Sequence, residues 1–342
     1  MKLISFVIPS YNSENYLHQA VDSLLDGGQD IEIIIVNDGS KDKTLLIAKK
    51  YQKKYPQIIR VVDKENGGHG SAINAGLAVA KGLFFKVIDS DDWVDQKSLK
   101  LLLDQIKKHH QANQQVDLYI TNFVYEHVED QTRYERDYSS NFPADTIFEW
   151  NQLRRKFRYS KTLLMHALIY RTQILTDMKL RLPEHTFYVD NIVAYLPLPF
   201  VKKLYYIKLP FYRYFIGRSD QSVTLKNITA RYQQQHRVFK AMSDAYSYHF
   251  LNQLPKKLRN YMKHDIVAMM IITQMFTVAD DSRERRNDLK NLWTYIKDKD
   301  IKLYRFLKYR SYNTWVHFLP WRIKSFVMVK GYLYLVKKVK LG

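Results

Sequence analysis

The sequence predicts an α/β architecture, a sheet of parallel strands covered by helices on both faces, followed by a helical carboxy-terminal region. Three observations carry this expectation. Short β-branched and aromatic runs alternate with helix-period segments along the amino-terminal part of the chain. Each unusual polar cluster there directly follows such a run or precedes a helix, where the carboxyl ends of parallel strands gather residues into one crevice. From about residue 227 onward strand patterns disappear and helical periodicity takes over.

The elements follow in order. Leu3 to Ile8 is an apolar run ended by Pro9, and Ile31 to Val36 is a second, ended by Asn37, Asp38 and Gly39. Between them Leu17, Ala20, Val21, Leu24 and Leu25 repeat at helical spacing until Gly27 and Gly28. The pattern continues with a helix over 42–51, a strand over 58–62, a helix over 71–80, a strand over 84–88, a helix over 99–109 and a strand over 117–125. The acidic and polar segment 126–145 reads as an exposed hairpin or loop. Helices are expected over 229–250, 256–279 and 284–297. A boundary near residue 220 divides a 1–220 domain from a 221–342 helical region.

The chain has 342 residues, 46% of them hydrophobic, enough to bury a sizeable core. It contains no cysteine, which excludes disulfides, thiolate metal sites and cysteine nucleophiles, so a metal would need oxygen or imidazole ligands. The apolar run after Met1 and Lys2 is interrupted by Pro9 and Ser10, too short and too weakly basic for a secretory signal. Ile266 to Ala279 is the most lipid-like stretch, but it carries Thr273, Gln274 and Thr277 and falls short of the roughly 20 residues that span a bilayer. It reads as a core helix, and a cytoplasmic location fits.

A formal net charge of +20 implies an anionic partner, with nucleic acid, a membrane surface and a phosphorylated substrate all eligible. From residue 301 to the end there are ten lysines and arginines and no aspartate or glutamate, interleaved with aromatics such as Trp315, Phe318, Trp321 and Phe326.

Asp89-Ser90-Asp91-Asp92-Trp93 sets acidic residues directly after an apolar strand. Such a turn can aim carboxylates into one pocket, where a hard divalent cation would find oxygen ligands. The same residues can equally cap the next helix. Glu65-Asn66-Gly67-Gly68-His69-Gly70-Ser71 opens a helix, so its glycines allow close backbone approach and a phosphate could sit at the helix start. It matches neither the P-loop nor the Rossmann fingerprint, and an ordinary loop would use glycine too. Asp38 could accept hydrogen bonds from a nucleobase, with Pro9 and Tyr11 as the opposite wall, although Asp38-Gly39-Ser40 is also common turn chemistry.

In combination these pieces resemble the large family-2 inverting glycosyltransferases of the GT-A fold, of the bacterial cell-surface polysaccharide and teichoic-acid type. The resemblance rests on Phe6-Val7-Ile8-Pro9-Ser10-Tyr11-Asn12, Ile35-Val36-Asn37-Asp38-Gly39-Ser40-Lys41-Asp42, Glu65-Asn66-Gly67-Gly68, Ala72-Ile73-Asn74-Ala75-Gly76 and Asp89-Ser90-Asp91-Asp92-Trp93. It covers about the first 110 residues and thins afterward. It implies a Rossmann-like mixed sheet that binds a nucleoside-diphosphate sugar mainly within 1–110, with the acceptor side in 110–220. Pro9, Tyr11, Asn12, Asp38, Asn66, Gly67, Gly68, Asp89 and Ser90 would then surround the donor. Asp91 would ligate Mn²⁺ or Mg²⁺, and Asp92 and Trp93 would face the sugar or acceptor.

Inversion needs one general base to take the acceptor proton during in-line attack. The family's acidic pair ahead of a helix corresponds to Val189-Asp190, which implies Asp190 as the base. Glu184 is the competitor, and Asp190 could instead be a helix cap. Arg213 and Arg218 lie in a stretch that resembles the loop closing over the diphosphate or the acceptor, where either could bind phosphate bidentately or simply be solvated. His166 could approach the site or be an ordinary interior histidine. The acceptor would be a glycan or a lipid-linked or polymeric molecule, and the basic, aromatic tail suits peripheral contact with the inner face of the cell membrane. Nucleic acid is not expected as a partner: no known module is present and the acidic cluster would repel a phosphate backbone. A non-catalytic scaffold is the remaining alternative.

Overall fold

The computed structural model describes residues 1–127, 131–155, 157, 162–216, 224–280 and 282–339, and the chain divides into two compact units, Met1–Phe215 and Ile216–Gly342. The first unit contains strands β1 (Ile4–Ser10), β2 (Ile31–Asp38), β3 (Ile59–Lys64), β4 (Phe84–Val87), β5 (Trp93–Val94), β6 (Leu118–His127), β7 (Thr132–Arg136), β8 (Ile147–Phe148), β9 (Leu168–Arg171) and β10 (Leu204–Ile216). Its helices are α1 (Leu17–Asp22), α2 (Thr44–Lys54), α3 (His69–Val79), α4 (Gln96–Gln111), α5 (Thr172–Asp177) and α6 (Asp190–Tyr195).

The sheet order is β3-β2-β1-β4-β9-β6-β10-β5, with β7 on β6 and β8 on β10. Strands β3, β2, β1 and β4 are mutually parallel. Every residue of β1 and β2 is buried, which is why these strands read as unbroken apolar runs rather than as alternating ones. Pairing of Ser10 with Asn37 and of Asp38 with Lys64 gathers the loops after β1, β2 and β3 at one edge. Beyond β4 the sheet becomes antiparallel, through β9 against β4 and β6 against β9. The sheet is therefore mixed, as the GT-A fold requires, and the parallel half is the part that local alternation reveals.

The segment expected as an exposed hairpin does form one, β6 with β7. Most of the residues after it are buried or half-buried. Tyr138 and Phe142 are wholly buried, and Phe142 packs against Phe148 and Tyr206. Its high mean polarity conceals these two aromatic anchors, whose burial outweighs it.

The second unit is helical: α7 (Leu225–Ala230), α8 (Tyr232–Ala245), α9 (Tyr248–Gln253), α10 (Lys256–Val278), α11 (Arg283–Lys299), α12 (Ile301–Tyr309), α13 (Asn313–Phe318) and α14 (Trp321–Val339). The lipid-like stretch lies within α10, where most of its polar groups find partners. Thr273 and Thr277 bond back to the carbonyls of Met269 and Thr273, and the Gln274 amide donates to Asn313 Oδ1. Among the described residues no helix is long and apolar enough to cross a membrane.

Candidate active site

The acidic cluster forms a tight turn, with the Asp92 N–H donating to the Asp89 carbonyl at 3.0 Å. Neither Asp91 nor Asp92 caps the following helix. Asp95 does so, accepting from the Ser98 N–H at 2.9 Å. The turn is held from β10 by Tyr212, whose hydroxyl donates to Asp92 Oδ2 at 2.5 Å and accepts from the Asp89 N–H at 3.2 Å. Asp92 Oδ1 accepts from the Phe215 N–H at 2.8 Å. Beneath the turn lies Lys86, the one charged residue of β4, fully buried and donating to the Met165 and His166 carbonyls. Burial holds its ammonium well below the ordinary lysine range, against the charges of Asp89 and Asp92.

Asp38 is buried at the end of β2. Its Oδ1 accepts from Lys64 Nζ at 2.8 Å and the Gly67 N–H at 2.9 Å, and its Oδ2 accepts from the Gly68 N–H at 2.7 Å and Asn66 Nδ2 at 3.1 Å. The carboxylate is thus occupied in shaping the glycine segment, which corrects the expectation that it stands open to a nucleobase. The glycines have a structural use the sequence alone left open. Gly68 has φ of +83°, and a Cβ there would lie 3.1 Å from the backbone N and Cα of His185. At Gly70 it would lie 2.5 Å from the Pro183 carbonyl oxygen. The 182–186 segment packs directly onto the start of α3, clamped by the Asn74 amide, which donates to the Leu182 carbonyl and accepts its N–H, each at 2.9 Å. The His185 N–H completes the contact by donating to the Gly67 carbonyl at 2.6 Å.

That docking carries Asp190 to the acidic turn. Asp190 is the first residue of α6, while Val189 occupies the capping position and no side chain caps the helix. Burial raises the Asp190 carboxyl to about 6, with the His69 imidazole opposing and the Asp89 charge reinforcing that rise. Glu184 is exposed. His69 opens α3 and places Nε2 2.9 Å from Asp89 Oδ1. Burial pulls its pKa down. The hydrogen bond and charge of Asp89, with Asp190 and Asp91 behind it, outweigh that and leave it above the ordinary histidine value.

His166 is not an ordinary interior histidine. It is 5% exposed, both ring nitrogens lack a hydrogen-bond partner, and Nε2 lies 3.9 Å from Asp89 Oδ2. Burial lowers it to about 4, so the ring is neutral at physiological pH. One donor atom each from Asp89, Asp92 and His166 falls within 4.8 Å of the others. Burial, then the charges of Asp91 and Asp89, pushes Asp92 well above the carboxylate range, an arrangement that a divalent charge would relieve. An orphaned imidazole among carboxylates fits Mn²⁺ or Mg²⁺. Asp91, the expected ligand, stands beside this trio rather than in it. Both Asp92 oxygens are already taken by protein donors, which gives it the weakest claim as a ligand.

Around this centre, Pro9 is buried in β1 and Tyr11 is half-exposed beyond its end. Asn12 ties the loops after β1 and β2, its N–H donating to Ser40 Oγ and its Oδ1 accepting from the Lys41 N–H. Ser90 shares a 2.7 Å hydrogen bond with Ser13. Trp93 lies in β5, opposite Arg213 of β10. Arg213 is corrected from the expected phosphate-closing loop to a strand, where its guanidinium bridges Asp95 at 2.8 Å and Glu126 at 2.9 Å. Two carboxylates already neutralise it. Arg218 lies outside the described residues. A cavity of about 930 Å³, lined by Lys2, Glu32 and Lys81 among others, sits at the amino ends of the strands, away from the acidic turn.

A mixed sheet with carboxylates clustered at the carboxyl ends of its parallel strands is the architecture expected of the GT-A fold. Residues 5–170, a little under half of the chain, match Glycosyl transferase family 2, and that part of the chain is a domain of the family. EpsH of Bacillus subtilis, named as a glycosyltransferase, is 29% identical over 245 residues, which cover 68% of this chain and 64% of EpsH. The minor teichoic acid biosynthesis protein GgaB of the same organism is 39% identical over 108 residues, 31% of this chain and 12% of GgaB. The match thus spans less than two thirds of each of these relatives. Among solved structures, residues 1–349 of Staphylococcus aureus TarS superpose with a TM-score of 0.60 at 19% identity, covering 99% of this chain and 92% of that one. The complex of the same protein with UDP-GlcNAc gives 0.54 at 21% identity over 91% of this chain and 92% of the other. At these identities the likeness concerns the fold.

Proposed function

We propose that the protein transfers a hexose or N-acetylhexosamine from a UDP-sugar to a hydroxyl of a glycan, lipid-linked or polymeric acceptor, with inversion, in cell-surface polysaccharide synthesis at the cytoplasmic face of the membrane. One observation carries this reading: a half-buried carboxylate from the 182–190 segment, Asp190, lies within electrostatic reach of the His69–Asp89 pair of the acidic turn. The fold of TarS, crystallised with UDP-GlcNAc, and the teichoic acid pathway named for GgaB support the donor and acceptor classes.

In this reading ionised Asp190 takes the proton of the acceptor hydroxyl as that oxygen bonds to the anomeric carbon. The bond from that carbon to the diphosphate breaks, and UDP leaves with the electron pair from the opposite face. A carboxyl titrating near 6 is ionised at neutral pH yet basic enough to accept a proton. Asp89 and Asp91, with His166 alongside, would hold Mn²⁺ or Mg²⁺, which supplies positive charge against the departing diphosphate. His69 keeps Asp89 oriented and ionised. Asp38 acts by fixing Asn66, Gly67 and Gly68, so that Pro9, Tyr11, Asn12 and Asn66 line the base and ribose, with Ser90 near the diphosphate. Asp92 and Trp93 stand at the sugar side, Arg218 is assigned to the diphosphate, and Arg213 positions the Asp95 end of the turn.

A thermal-shift screen of UDP-sugars with Mn²⁺ tests this, because a ligand of the folded state raises Tm by mass action. The expected result is stabilisation by one UDP-sugar, lost in Asp91→Ala. Absence of both binding and turnover across the panel would overturn the donor assignment.

A further inference from the structure

The helical unit contains a second site that the transfer chemistry does not use. A cavity of about 390 Å³ lies among α11, α12, α13 and α14 and is lined by Arg286, Lys290, Lys297, Lys308 and Lys324, with no aspartate or glutamate among its lining residues. Two buried polar atoms of residues lining it, His317 Nδ1 and Trp321 Nε1, lack a hydrogen-bond partner. The indole N–H can only donate, so an acceptor is missing there. Lys324 is nine-tenths buried, its Nζ donating only to the His317 carbonyl among the described contacts, at 3.2 Å. Four lysines, an orphaned donor and a lining without acidic side chains describe a receptor for an anion rich in oxygen acceptors, as a phosphodiester is.

The surface beside this cavity is apolar where a solvent-facing helix should be polar. Along α14, Lys324 and Met328 point inward, whereas Ile323, Phe326, Val327 and Tyr334 form an exposed stripe with Lys330 among them. Trp315 and Phe318 of α13 extend it, 80% and 64% exposed. Exposed aromatics around basic side chains, in a stretch that bears no acidic residue after Asp300, are complementary to an anionic lipid interface.

We propose that this end of the helical unit docks on an anionic bilayer, the cavity taking a phospholipid headgroup phosphate while the α13–α14 stripe enters the acyl boundary. The site gives the membrane-face location proposed above a physical basis, yet its test needs no sugar donor, so the two readings fail separately.

Full-length protein is sedimented with sucrose-loaded vesicles of phosphatidylcholine alone or mixed with phosphatidylglycerol, at two salt concentrations. Binding is expected only to the anionic vesicles. Lys290→Ala with Lys297→Ala, both exposed and therefore safe for folding, should lower the partition coefficient about fivefold per charge removed. Trp315→Ser with Phe326→Ser should reduce the binding that persists at high salt. Both double variants should keep native Tm and UDP-sugar binding. Equal binding to both vesicle types, or anionic binding unchanged in both double variants, overturns the proposal. So does a soluble polyglycerol-phosphate that binds without vesicles and competes the protein off them, since the cavity would then serve a polymer.

Discussion

Asp190→Asn separates the catalytic and structural consequences of one half-buried carboxyl. Folding raises this group from its ordinary 3.8 to about 6, so the native state favours the protonated form. At about 1.4 kcal/mol per tenfold change in ionisation constant, holding it ionised above pH 6 opposes folding by about 3 kcal/mol at most. Water reaches the partly exposed residue and screens it, which brings the expected figure to about 1–3 kcal/mol. The sign follows from proton binding: wild-type stability falls as pH rises from about 4 to about 6 and is level beyond. Asparagine removes that slope. Calorimetry should therefore find Tm of the variant close to wild type near pH 4 and several degrees higher at pH 7.5, since 1 kcal/mol moves Tm by about 2–4 °C in units of this size. Transfer should fall by about 10²–10⁴, the usual worth of a general base, while UDP-sugar affinity stays within about twofold. Near-native turnover in this variant would move the base to Glu184. Equal Tm at pH 7.5 would refute the claim that Asp190 is held ionised at a cost to stability.

Three further outcomes follow. His69→Gln removes the positive charge that lowers the Asp190 pKa, so the acid limb of kcat/KM against pH should move upward from about 6, and an unmoved limb would contradict the electrostatic contact. Gly68→Ala forces a Cβ against His185 at a φ of +83°, which should cost roughly 2 kcal/mol in urea unfolding and lower kcat by displacing the segment that carries Asp190; unchanged kcat would show that the docking does not position it. Asp38→Asn replaces one of two oxygens, each of which accepts from two donors, by an N–H₂ that cannot accept, and urea unfolding should register a loss of about 2–4 kcal/mol. A change under about 0.5 kcal/mol would mean that the glycine segment holds its shape without Asp38.

How far the sequence discloses this arrangement depends on the range of the interaction. Strands β1 and β2 are covered on both faces, so burial imposes unbroken apolar runs that a local reading detects. The antiparallel half escapes it, because the pairing of β9 with β4 joins residues distant in the chain and leaves no periodic mark. Lys86 is a lone charge in an apolar strand, and only Met165 and His166, on another segment, explain how it is tolerated. Arg213 sits within Tyr212-Arg213-Tyr214, a stretch as compatible with a closing loop as with a strand. What decides is the pair Asp95 and Glu126, whose positions relative to it are set by β5 and β6.

The acidic turn shows why its residues were ambiguous in isolation. Aspartates after a strand either cap a helix or face a ligand, and both uses need the same residue at nearly the same place. Asp95 occupies the capping position, which removes that use from Asp91 and Asp92. Tyr212 and the Phe215 N–H then satisfy Asp92, while His69 takes one oxygen of Asp89. The remaining unsatisfied capacity is the imidazole of His166, buried beside those carboxylates with neither nitrogen bonded. A protein interior does not keep an unpaired polar ring next to crowded negative charge for packing alone. The glycines at 68 and 70 belong to the same logic, since only there can the 182–190 segment approach closely enough to bring a base to the donor side.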